Sequence, residues 1–169
     1  MSAAFDELVL GGGKGAVNVQ TSAEQHRAAV ALVRQARRSV EIFSRDLDRK
    51  LYDQRDFLEA LQVLAVNHGQ IRILVKDSST AVKNGHRLIP LSQRLTSFIQ
   101  IRKAPEDYRD YNEAFLIADS TGCSLRRHAE RFEGSVHFNA VKTCHDLLTF
   151  FNQVWSNSAP DPDLQRLYL

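Results

Sequence analysis

The sequence predicts a single α/β domain built on a mixed, mostly parallel sheet with helices on both faces. Two observations carry this. Short β-branched runs alternate with helix-period segments from residue 22 to about 102, the βαβαβ order that implies parallel neighbours joined by right-handed crossovers. After residue 111 the strand signals follow one another with only short links, which implies antiparallel hairpins, and a last helix closes the unit.

Residues 1–20 read as a loosely ordered segment with a Gly-rich turn, "GGGKG" at 11–15, and "AVNVQ" supplies a short edge strand. The Gly-rich stretch is not a phosphate loop: the Gly-Lys-Ser/Thr ending is missing, because Lys14 is followed by Gly15. Ser22 starts a helix with Gln25 as its capping-box partner, and Ala29, Leu32, Val33 and Ala36 mark its buried stripe. "SVEIF" (39–43) is the first strand of the main series. Asp53 caps a helix lined by Phe57, Leu58, Leu61, Leu64 and Ala65, and Gly69 ends it. "IRILVKD" (71–77) and "SFIQIR" (97–102) are strands, and between them "RLIPLSQRL" is a helix with Pro90 near its start. "YNEAFLIAD" (111–119), "GCSLRR" (122–127) and "EGSVHF" (133–138) are strands. Asn139 caps a final helix carrying Val141, Leu147, Leu148, Phe151 and Trp155. The domain spans 21–157, and 158–169 is a tail that packs back through Leu167 and Leu169.

The chain has 169 residues, enough to bury a core without a disulfide or metal. Its net charge of +2 is too small to imply nucleic-acid binding by itself. Cys123 and Cys144 lack Cys-x-x-Cys spacing and read as reduced thiols of a cytoplasmic protein. The sequence shows no secretory signal pattern and no apolar run near the roughly 20 residues of a membrane span.

In "NEAFLIAD", Asn112, Ala114, Leu116 and Ala118 share one face of the strand; Glu113, Phe115, Ile117 and Asp119 share the other. This stretch resembles the phospholipase D superfamily, whose His-x-Lys-x4-Asp motif lies on such a strand. Asn112 stands at the His position, Ala114 at the Lys position and Asp119 at the Asp position. "ARRSVEIFSRDLD", "FLEALQVLAVNHGQIRILVKD" and "LSQRLTSFIQIRK" resemble the family's preceding strand and helix units. "FEGSVHFNAVKTCHDLLTFFNQVW", with Phe151 and Trp155, resembles its closing strand and helix. The resemblance covers about 22–156, one half-unit of the usual double arrangement. The chain also looks like a small uncharacterised bacterial domain sometimes attached to N-acetyltransferases.

The resemblance implies a phosphoryl-accepting His and a charge-stabilising Lys, and both are replaced here. An Asn amide is not a comparable nucleophile, and Ala114 offers no charge. The family's Gly-Ser, counted from Asp119, falls on Arg126 and Arg127, which would fill the pocket or present positive charge to it. The expectation is therefore a catalytically inactive phospholipase D-like module for binding or assembly, with an anionic or phosphate-containing ligand and no cofactor. Two-fold pairing of half-units in the family adds the expectation of a homodimer meeting near Asn112, beside an uncovered flank of the fourth strand. A separate protein partner is the other assembly reading.

Further candidates for an anion site are His86, Arg87 and Arg94 in "GHRLIPLSQR", where Arg forks suit phosphate. Asp46 and Asp48 follow the first main strand, at the strand end where α/β sheets bind ligands. One polar pocket is expected to gather Asn112, Asp119, the end of that strand and the start of the "GHRL" helix. An alternative reading is a phosphoester hydrolase using His86 or His137 as a substitute, with His128 and His137 approaching one pocket. A second alternative is nucleic-acid binding through Tyr108, Arg109 and Tyr111. No His/Cys pattern points to a metal.

Overall fold

The computed structural model describes residues 5–13 and 15–165. Lys14, Leu167 and Leu169 lie outside them. The strands are β1 (Ala16–Val19), β2 (Ser39–Ser44), β3 (Gln70–Val75), β4 (Ile99–Lys103), β5 (Ala114–Ala118), β6 (Gly122–Arg126), β7 (Gly134–His137) and β8 (Ala159–Pro160). They form one sheet in the order β1-β7-β6-β5-β2-β3-β4-β8. β2, β3 and β4 are parallel neighbours, joined through helices as expected. The other five pairings are antiparallel, so the sheet is mixed but mostly antiparallel. The reason is chain economy: short links after β5 permit only hairpins, and β1 and β8 add antiparallel edges.

β5 is a central strand between β2 and β6. The uncovered flank expected beside it does not exist, because the β6–β7 hairpin occupies that side. The sheet's outermost strands are β1 and β8. The N-terminal residues, read as loosely ordered, are tied to the domain: β1 pairs with β7, and Phe5 and Val19 are buried.

The helices are α1 (Ser22–Gln35), α2 (Arg49–Tyr52), α3 (Arg55–Val66), α4 (Ser79–Lys83), α5 (Leu88–Arg94), α6 (Val141–Ser156) and α7 (Pro162–Gln165). The capping box of α1 lies one residue earlier than the sequence suggests. Thr21 accepts from the Glu24 amide at 3.1 Å, while the Glu24 carboxylate accepts from the Gln20 amide at 3.3 Å. Asn139 does not cap α6; it donates to the Gly13 carbonyl instead. α3 ends in a Schellman motif with His68, at φ 68°, in the left-handed position usually taken by glycine. The Gly69 amide bonds Leu64 O and the His68 amide bonds Ala65 O. Gly69 is required because any Cβ there would lie 2.3 Å from Leu64 Cδ1.

Two apolar cores sit on the two faces of the sheet. Val40, Ile42, Ile71, Ile73, Leu116 and Ala118 point into the larger one, under α1, α3 and α5. Phe43, Leu74, Phe115 and Ile117 point into the smaller one, closed by Cys144, Phe151 and Val154 of α6. Cys123 and Cys144, distant in sequence, meet in the second core, and the hydrogen bond between the thiols together with burial pushes Cys144 well above the usual thiol range.

One carboxylate is buried in that second core. Glu41 lies 3.6 Å from Arg72, whose guanidinium stacks on Phe151 and Trp155, and Glu41 Oε1 finds no partner among the described residues. Burial pushes its carboxyl up to about 7, against the pull of Arg72. The folded value thus exceeds the ordinary 4.5, so Glu41 contributes stability in full below pH 4.5, and this is lost as pH rises through 7. Glu41→Gln mimics the neutral acid. Chemical denaturation across that window should show wild-type stability falling relative to the variant; two parallel pH curves would refute the assignment.

Candidate functional site

The carboxyl ends of β2 and β3 and the amino end of β5 meet at one end of the sheet, where an α/β crevice belongs. A shallow cavity of about 340 Å³ lies there, lined among others by Arg45, Asp46, Lys76, Asp77, Glu106 and Arg109. Several of its charged groups are already engaged. Arg45 lies 3.5 Å from Asp46, Asp77 accepts from the Ser79 hydroxyl at 2.6 Å, and Lys76 Nζ donates to the Tyr111 carbonyl. Arg45 and Lys76 were not singled out in the sequence, where the only signal was their place just after strands; Arg109 was named only for a nucleic-acid reading.

Asn112 is exposed at this end, immediately before β5, and its carbonyl accepts from the Ala129 amide. Ala114 is 1% exposed and pairs across the ladder with Arg126. Directly opposed residues share a face, so Arg126 occupies the space beside Ala114. Arg126 is itself buried. Its Nη1 donates to the carbonyls of Ala129 and Arg131 at 3.1 and 3.2 Å, and it lies against the Tyr52 hydroxyl. Burial raises the Tyr52 pKa, and the Arg126 charge partly offsets this. Of the two arginines expected near the pocket, Arg126 fills it and Arg127 is exposed to solvent.

The single polar pocket expected from the sequence is not assembled. Asp119 follows Asn112 by seven residues along an extended strand, roughly 20 Å at 3.3 Å per residue. At that far end its carboxylate accepts the amides of Arg37, Arg38 and Ser39 at 2.8–3.1 Å, and its own φ is 53°. It is a turn lock. His86 is fully buried; its Nδ1 accepts the Leu88 amide, and burial lowers its pKa against the pull of Asp53. Arg87 precedes α5 rather than lying on it, and its Nε donates to Asp53 at 2.7 Å. Asp53, expected to cap α3, instead clamps Arg87 and Arg49. Burial raises its carboxyl, but the Arg87 bonds outweigh this and leave it below the usual range. Arg94 is exposed in the last turn of α5. Asp46 stays at the crevice, and Asp48 caps α2 by accepting the Lys50 amide.

The two histidines expected to converge do not. His137 pairs with Cys123 near the start of β6, on the α6 face, whereas His128 follows the other end of β6 and is exposed. Tyr111 stacks on Phe150 and Tyr108 meets the same ring edge-on, so neither stands free, while Arg109 is exposed.

The family model for a domain of unknown function (DUF7931) matches residues 21–167. This chain belongs to that family. No curated protein matches it. The fold is similar to that of solved phospholipase D family members. Nuc of Salmonella typhimurium, a phospholipase D family member, is similar with a TM-score of 0.67 at 11% identity, over 87% of this chain and 97% of Nuc. NucT of Helicobacter pylori is similar with a TM-score of 0.60 at 12% identity, over 87% of this chain and 99% of NucT. TrmBL2, an archaeal chromatin protein described with a novel mode of DNA binding, has a TM-score of 0.64 at 10% identity. That match covers 88% of this chain and only 55% of TrmBL2.

Arg126 is the keystone of the filled crevice. Arg126→Ala should cost about 2–4 kcal/mol, the combined loss of a large buried side chain and of donors to two carbonyls. Urea unfolding reads this as a lower midpoint with an unchanged slope. A midpoint equal to wild type would mean that the guanidinium is not held as described.

Proposed function

We propose that this domain is a catalytically inactive phospholipase D-like unit that serves as a binding module. The observation that carries the reading is the pairing of Ala114 with the buried Arg126. The position matching the family's Lys is sealed, and the only exposed motif residue at that end is Asn112, which cannot act as the phosphoryl acceptor. The alternative of substitute histidines loses its support on the same geometry. His86 is inaccessible, and His137 faces the opposite side of the sheet.

A generic diester such as bis(p-nitrophenyl) phosphate tests this. Wild-type protein should show no turnover above the buffer rate. Turnover that vanishes in His86→Ala or His137→Ala would overturn the reading. The double variant Asn112→His/Ala114→Lys should not gain activity, because a lysine at 114 meets the Arg126 side chain and its charge. Overpacking alone costs about 1–3 kcal/mol, which thermal unfolding reads as a lower Tm of several degrees. Activity in the double variant with an undiminished Tm would show that the crevice is open after all.

A further inference from the structure

A cluster of three exposed arginines lies at the other end of the sheet. There α1 ends and the chain turns into β2 through "RQARRS". Arg34, Arg37 and Arg38 are all exposed, and they line one cavity of about 460 Å³. Among the described residues, none of the three guanidinium groups forms an ion pair.

The carboxylates that line the cavities beside them already have partners. Asp119, the acid lining this cavity, is held by four hydrogen bonds from the backbone amides of Arg37, Arg38 and Ser39. Arg34 and Arg37 also border a second groove, between α1 and α3, where the acids are Asp56 and Glu59. Asp56 is taken by His26 at 2.9 Å and Glu59 by Arg55 at 2.9 Å.

The cavity wall is fixed before any ligand arrives. Gln35 accepts from the Leu10 amide at 2.7 Å and donates to Leu8 O at 2.8 Å, and the Gly11 amide donates to Phe138 O at 2.6 Å. Three free guanidinium forks around a rigid cavity in the small-molecule size range suit an anion with several acceptor oxygens. We propose that this cavity binds a small phosphate-bearing molecule, with its phosphoryl group held by Arg34, Arg37 and Arg38. The site lies at the opposite end of the sheet from Asn112, so it does not depend on the crevice being inactive. Diester turnover would sink the proposed function and leave this site standing.

Inorganic pyrophosphate is the probe, measured by calorimetry on the full chain at about 150 mM salt, where loose surface attraction is screened. Saturable binding is expected in wild type, about tenfold weaker in Arg34→Ala/Arg38→Ala. In the control Arg45→Ala/Arg109→Ala, at the opposite crevice, affinity should stay within about twofold. Circular dichroism should report the same folded state for both variants, since neither pair of side chains makes a buried contact. No saturable binding in wild type, or an equal loss in the control, overturns the proposal. A single-stranded oligonucleotide forms the last arm. If it alone binds, with a steep salt dependence removed by Arg34→Ala/Arg38→Ala, the arginines contact a polyanion backbone and the small-molecule assignment fails.

Discussion

The antiparallel seam between β2 and β5 is the constraint on which the rest of the structure depends. It joins the parallel half, β2-β3-β4, to the antiparallel half, β5-β6-β7-β1. All five residues of β5 are buried, so the strand contributes to both cores at once. Leu116 and Ala118 face the larger core, and Phe115 and Ile117 face the smaller one. A one-residue slip would exchange the two sets and spoil both cores, so the register is strongly specified. The Asp119 carboxylate reinforces it by holding the amides that lead into β2.

The same seam sets the geometry of both ends of the sheet. Because β5 runs antiparallel to β2, its amino end lies with the carboxyl ends of the parallel strands, where α/β folds place their crevice. Here Arg126 and Tyr52 fill the space beside Ala114, and of the remaining crevice charges Arg45 and Asp46 pair with one another. The carboxyl end of β5 lies with the α1–β2 turn. There the Asp119 carboxylate is held by backbone amides, and among the described residues it forms no ion pair with the arginines of the turn.

Much of the fold was legible in the sequence because its signals are local. The helix periodicity of α1, α3 and α6 and the apolar runs of β2, β3, β4 and β5 follow from neighbours a few residues apart. The loss of the motif His and Lys is likewise visible in "NEAFLIAD" without coordinates. The cap of α1 was misplaced by one residue because Thr21 and Ser22 are both good N-caps, and only backbone geometry separates them.

Side-chain roles that depend on distant partners were not legible. Asp53 looked like a helix cap, yet it holds Arg87, 34 residues away. His86 looked available for chemistry, yet it is fully buried beside Leu47 and Asp53. Asn112 and Asp119 looked like two parts of one site, because a motif compresses into eight letters what an extended strand separates by its full length. The sequence by itself determined the strand and helix order, the two-faced core pattern and the presence of Asn112 and Ala114 in "NEAFLIAD". Only the tertiary structure decided that Arg126 is buried opposite Ala114 and that Arg34, Arg37 and Arg38 gather around one cavity. Charge pairing depends on which elements meet, and those contacts cross from 3 to more than 80 residues of chain.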